Sequence, residues 1–192
     1  MGEVEDLDWD AYRAVVCYRC SREDVVCKVV EQAKKTGLNV YYDIDDLIFD
    51  YERISYLHFL TGSEYKDFKK TTEQIHSCME LCDGYFTSTD TLAGEIRREF
   101  PGKPVVINRN CASMEMQILS HDAVEQVEKD PEHIFIGYFS GSKTHDQDFE
   151  VAEEAMLEVM KEHPEVRLKL VGVLSDRKME KFGNKVEKLP FM

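Results

Sequence analysis

Short runs of β-branched and aromatic residues alternate with segments of helical period along almost the whole chain, and this alternation restricts the fold more than any other feature. Arg13 to Arg19 (RAVVCYR) reads as a buried-type strand. Glu23 to Thr36 follows, with Val25, Val26, Val29, Val30 and Ala33 on one helical face, and Gly37 stops it. Asn39 to Asp43 (NVYYD) is a second strand that runs into the acidic cluster Asp43-Ile44-Asp45-Asp46. Strand, helix and strand make a βαβ unit, whose strands are parallel and whose crossover is right-handed.

The beat continues. Ser63 to Cys82 is a long helix with Phe68, Ile75, Met79 and Cys82 at helical spacing and Ser63 as its N-cap. Tyr85 to Thr87 is a strand, Thr89 to Phe100 a helix, and Pro104 to Ile107 a strand. A bridging helix over Ser113 to Lys129 leads to a boundary near Asp130-Pro131. The rhythm then restarts with a strand at 134–139 and a helix carrying Phe149, Ala152, Met156, Val159 and Met160, closed by Pro164. Val166 to Val171 is a strand, Ser175 to Phe182 a short helix, and Lys185 to Leu189 a last strand. The expected fold is α/β, built of Rossmann-like parallel sheet units: residues 1–130 form the first with its bridging helix, and 131–192 the first half of a second.

Composition narrows the function. A formal charge of −14 argues against a nucleic-acid or anionic-membrane surface, because both need clustered Lys and Arg. No apolar run approaches the roughly 18 residues of a membrane span, so no integral membrane segment is expected. Six irregularly spaced cysteines read as reduced thiols of a cytoplasmic protein. Cys17-x-x-Cys20 and Cys78-x-x-x-Cys82 lack the spacing of a compact zinc knuckle, and Cys17 and Cys20 would point to opposite faces if both lay in the strand. No metal site is expected.

Candidate chemistry sits in two places. Ile134 to Phe149 (IFIGYFSGSKTHDQDF) reads as strand, small-residue turn and helix, with the turn at Ser140-Gly141-Ser142. Backbone N–H groups at a helix N-terminus and the helix dipole suit a phosphate there, and Lys143 adds a full charge. Any βα unit also needs a small residue at its turn, so the pattern alone decides nothing. Asp146 reads as the N-cap of the following helix, and His145 is a catalytic candidate because imidazole titrates near neutral pH. The second place is the end of the first two strands, where Arg19 and Asp43 to Asp46 stand at carboxyl ends, the side on which parallel sheets bind ligands. Clustered carboxylates raise one another's pKa, which makes Asp45 and Asp46 candidate general bases; equally, an Asp at a strand end caps a turn.

The segments YDIDDLIFD (42–50), CDGYFTSTDTLA (82–93), PVVINRN (104–110), IGYFSGSKTHDQD (136–148) and LKLVG (168–172), in this order, resemble the middle of a GT-B glycosyltransferase of the broad family 4 group. The resemblance implies two facing Rossmann-like domains, a nucleotide-diphosphate-sugar donor held mainly by the second, a saccharide or other hydroxyl acceptor held by the first, and no cofactor or essential metal. By position it assigns Ser140, Gly141, Ser142, Lys143 and Asn110 to the donor, although Arg109 and Cys111 depart from the residues that flank Asn110 in the family. Arg19 and Asp43 fall on the acceptor side. The family's opening Gly-rich turn and its later glutamate pair have no counterpart here, so the chain is expected to be incomplete at both ends, not to turn over alone, and to need a second polypeptide or an oligomer to complete its site. Two other readings stand beside this one: a non-catalytic binding module derived from a glycosyltransferase, and a haloacid-dehalogenase-like phosphohydrolase. The latter rests on Asp43 and Asp45 with Thr87 or Ser88, but Leu47 and Val173-Leu174-Ser175 break its pattern.

Overall fold

A computed structural model of the chain describes residues 4–50, 52–53, 62–141, 146–174 and 180–190. It divides into two compact units, Met1–Ala112 and Ser113–Met192, so the bridging helix is grouped with the second unit rather than with the first. Each unit is a Rossmann-like parallel sheet with helical crossovers, and two such units in tandem are typical of the GT-B fold.

In the first unit the strands β1 (Ala14–Tyr18), β2 (Asn39–Asp43), β3 (Gly84–Thr87) and β4 (Val105–Ile107) lie in chain order and pair in parallel. Right-handed crossovers in that order place α1 (Asp24–Lys35), α2 (Gly62–Leu81) and α3 (Asp90–Glu99) on one face. The strand period of two then sorts the side chains. Cys17, Val40, Tyr42 and Tyr85 alternate onto the helix side and share a core with Val30, Ala33, Ile75, Cys78, Met79, Leu92 and Ile96. Val16, Tyr18 and Val106 fall on the opposite face and stay exposed.

Local chemistry fixes the element ends. Gly37 has φ 78, and the Gly37 N–H donates to the Lys34 carbonyl (3.1 Å) while the Leu38 N–H donates to Ala33 (2.9 Å). This is a Schellman closure, which requires the left-handed residue that glycine supplies without strain. The Thr89 hydroxyl caps α3 by accepting from the Leu92 N–H at 3.1 Å. Gly84 is needed for a different reason: a Cβ there would sit 2.9 Å from Pro104 Cγ and 3.1 Å from its carbonyl oxygen. The long helix opens at Gly62, so Ser63 lies inside its first turn instead of capping it.

The second unit carries α4 (Met114–Gln126), β5 (Ile134–Ser140), α5 (Asp146–Glu162), β6 (Val166–Gly172) and β7 (Val186–Leu189), with the strands again parallel and in chain order. Its core is Phe149, Met160, Val166, Leu168, Leu170, Leu174 and Phe182. A 3₁₀ segment, Glu180–Lys185, precedes β7. Ser113 caps α4 through the Met116 N–H at 3.1 Å, yet no side chain of that helix is buried. Among the described residues no helix is long and apolar enough to cross a membrane.

Candidate functional site

Arg19 organises the carboxyl end of the first sheet. It follows β1 with φ 49, a left-handed conformation that costs a non-glycine residue of order 1–3 kcal/mol. Its N–H donates to the Asp43 carbonyl at 3.2 Å, extending the β1–β2 ladder by one bond. Its guanidinium reaches Asp46 at 2.7 Å and Asp45 at 3.4 Å. The four residues assigned to this end by sequence, Arg19, Asp43, Asp45 and Asp46, are therefore brought together. Asp45 and Asp46 share this one cation, which offsets half of their combined charge, and the Ile48 N–H donates to the Asp46 carbonyl at 3.0 Å. The Asp43 carboxyl is half-buried and held above the usual carboxylate range, first by burial and then by the neighbouring Asp45 charge. That raises its affinity for a proton, as a carboxyl that exchanges protons with a bound hydroxyl requires.

Sequence reasoning reached Thr87 only through the phosphohydrolase pattern. In the structure Thr87 ends β3 on the helix-covered face, 1% exposed, and its hydroxyl oxygen is buried with no hydrogen-bond partner. Its carbonyl accepts the Asn108 N–H at 2.7 Å. The alternation with buried Tyr85 was the signal available in sequence: it put Thr87 inside, but could not show that nothing answers its hydroxyl. Asn110 lies beyond β4 and is exposed. Arg109 beside it pairs with Asp90 at 2.6 Å, and that contact holds the Asp90 carboxyl below its ordinary range.

In the second unit the small-residue turn follows β5 directly. Ser140 is 2% exposed; its hydroxyl donates to the Val173 carbonyl, and its own carbonyl accepts the Val173 N–H at 2.9 Å. Ser140 thus ties the end of β5 to the chain leaving β6, which is a structural use of the hydroxyl. Gly141 is exposed, and a Cβ added to it would meet nothing within 4 Å. Ser142, Lys143 and His145 lie outside the described residues. The helix opens at Asp146, which belongs to its first turn together with Asp148. Two carboxylates there already complement the helix dipole and oppose an anion at the same place, so a phosphate would depend on Lys143 and the turn N–H groups. Burial first, then Asp148 and Asp146, raise the Tyr138 phenol. Among the described residues no group of three or more His, Cys, Asp or Glu has the geometry to hold a metal ion.

No protein-family model matches the chain, and no curated protein matches it. Among solved structures it is similar to a UDP-glucosyltransferase from Polygonum tinctorium, with 15% identity, a TM-score of 0.41, and coverage of 94% of this chain and 49% of that one. TarM of S. aureus, solved with UDP among its ligands, gives 18% identity, a TM-score of 0.45, and coverage of 81% and 29%. UGT2 of Phytolacca americana gives 11% identity, a TM-score of 0.42, and coverage of 93% and 47%. The chain spans less than half the length of each of these structures.

Proposed function

We propose that this chain is a glycosyltransferase-type protein of the family 4 group that binds a nucleotide-diphosphate sugar and presents it to an acceptor hydroxyl. The observation that carries the reading is the architecture: two consecutive parallel α/β units, each with its candidate groups at the carboxyl ends of its strands. The open, exposed backbone at Gly141 supports a donor diphosphate at the turn after β5, with Lys143 supplying charge to the leaving group. On the first unit, Arg19 pairs with Asp45 and Asp46, while Asp43, held above the ordinary carboxylate value by burial first and the Asp45 charge second, is the better proton acceptor for the incoming hydroxyl. The six cysteines, none in a disulfide, support a reducing, cytoplasmic setting. A second reading, a binding module without turnover, is supported by the helices lying on one face of each sheet where a doubly wound fold covers both.

Calorimetric titration with nucleoside diphosphates and their sugars tests the proposal. The parent chain should bind a nucleoside diphosphate. Gly141→Val should abolish that binding while leaving the fold intact, because its side chain meets only open space in the protein but blocks close backbone approach. A parent that binds no nucleoside diphosphate, or a folded variant that binds as well as the parent, would overturn it. Sugar transfer to generic acceptors by the chain in an oligomer, or with a second polypeptide that completes its site, then separates the two readings, since the binding module gives none.

A further inference from the structure

Four thiols gather in the first unit. Cys17 lies on the helix-covered side of β1 and is 4% exposed, and Cys78 on α2 and Cys82 just past its end are 0% and 1% exposed. Cys20 is half-buried. Cys17 and Cys20 would point to opposite faces only if both lay in the strand, and Cys20 lies beyond it. The strand ends at Tyr18, Arg19 turns the chain through its left-handed φ, and the Cys20 thiol folds back to the Tyr18 carbonyl at 3.4 Å, within hydrogen-bonding reach of Cys17. The Tyr42 hydroxyl fixes the turn by donating to the Cys20 carbonyl at 2.6 Å.

Cys17 and Cys20 line one cavity of about 180 Å³, together with valines of β1 and α1, among them Val16 and Val25. Behind Cys17, Cys78 and Cys82 share its core, and the Cys82 thiol donates to the Cys78 carbonyl at 3.4 Å; Cys78 first, then Cys82 and Cys20, hold Cys17 well below an ordinary thiol, and Cys78 and Cys82 are themselves held up as thiols. The cluster lacks a metal-holding geometry, so its chemistry is that of sulfur with sulfur.

We propose that Cys17 and Cys20 are a redox-active pair that closes to a disulfide by exchange with a small disulfide such as glutathione disulfide. Cys20, the sulfur that solvent reaches, gives up its proton and attacks one sulfur of the incoming disulfide. The external S–S bond breaks, and the departing thiolate takes up a proton as the first thiol released. Cys17 then attacks the Cys20 sulfur of this mixed disulfide, a Cys17–Cys20 bond forms, and the second small thiol leaves. One small disulfide is reduced to two thiols while two protein thiols are oxidised to one disulfide. Cys78 and Cys82, sealed behind in the core, do not enter the exchange. Tyr18 and Arg19 lie between the two cysteines, and the Arg19 guanidinium pairs with Asp45 and Asp46.

The test is differential alkylation with peptide mapping after incubation with glutathione disulfide, in a Cys27→Ser, Cys111→Ser background that removes the two thiols outside the cluster. Cys17 and Cys20 should be protected together, without retained glutathione, and both should return on treatment with dithiothreitol. Adding Cys20→Ser should leave Cys17 as a free thiol throughout. Because the unsubstituted pair is mapped first, misfolding of that variant does not remove the test. A disulfide that includes Cys78 or Cys82, a glutathione adduct that persists on Cys20, or no loss of thiol would each overturn the proposal.

Discussion

In the first unit four strands share one core with α1, α2 and α3, and sixteen buried side chains from Trp9 to Phe100 fill it; in the second, three strands share a core of seven with α5 and the 3₁₀ segment, counted among the described residues. The same strand–helix grammar writes both sheets. What differs is how much apolar surface the crossovers lay over them. The uncovered faces differ as well. On the first sheet Val16, Tyr18 and Val106 are exposed, and Tyr41 and Phe86 pack at 5.2 Å between their ring centroids. On the second, Lys169 stands over the Phe135 ring at 4.2 Å and pairs with Glu187 at 3.5 Å, so long charged side chains shield the apolar surface.

Matched truncations should expose that difference most strongly. Ile96→Ala and Leu168→Ala each remove a wholly buried aliphatic side chain, at a cost of roughly 2–5 kcal/mol. Ile96, enclosed in the larger core, should fall toward the upper end and Leu168 toward the lower, read from urea unfolding monitored separately in each unit. Equal losses would break the comparison.

Much of this contrast was legible in the sequence. Every strand was placed to within a residue or so, because β-branched runs bounded by Gly, Pro and Asp punctuate without ambiguity, as at Gly37 and Asp83-Gly84. The convergence of Arg19 with Asp43, Asp45 and Asp46 also followed from topology, since parallel strands bring their carboxyl ends together. The left-handed turn at Arg19 did not follow, because nothing in a Tyr-Arg-Cys sequence marks a positive φ, and that turn is what reunites Cys17 with Cys20. The exposure of α4 was equally hidden: the sequence marks a bridging helix there, but not that its Met114, Met116, Ile118 and Leu119 are all exposed.

Smaller effects sharpen the same picture. Arg19→Gln removes two ion pairs whose partners are a third to a half exposed, and such pairs contribute about 0.2–1 kcal/mol each after solvent screening. The loss should shrink in molar salt, and an effect independent of salt would show that the backbone turn and not the charge is what Arg19 supplies. Leu119→Lys, on a helix with nothing buried, should change stability by less than about 0.5 kcal/mol. A larger loss in the same urea titration would mean that α4 packs against something in solution.

The smallest effect expected is at Asp43, and its sign is what matters. Burial first, and the Asp45 charge second, hold this carboxyl above its ordinary value of 3.8 in the folded chain. The folded state therefore binds the proton more tightly than the unfolded state does. Below pH 3.8 both states are protonated and the favourable contribution is fully present. As the pH rises through 3.8 toward the raised folded value, the unfolded chain ionises first, stability falls, and the loss is complete above the folded value. Asparagine imitates the protonated form, so Asp43→Asn should raise the urea midpoint slightly at neutral pH and leave it unchanged below pH 3.8. A variant less stable than the parent at neutral pH would show the carboxylate to be held by a favourable partner, and would remove the physical reason for choosing Asp43 over Asp45 and Asp46 as the proton acceptor.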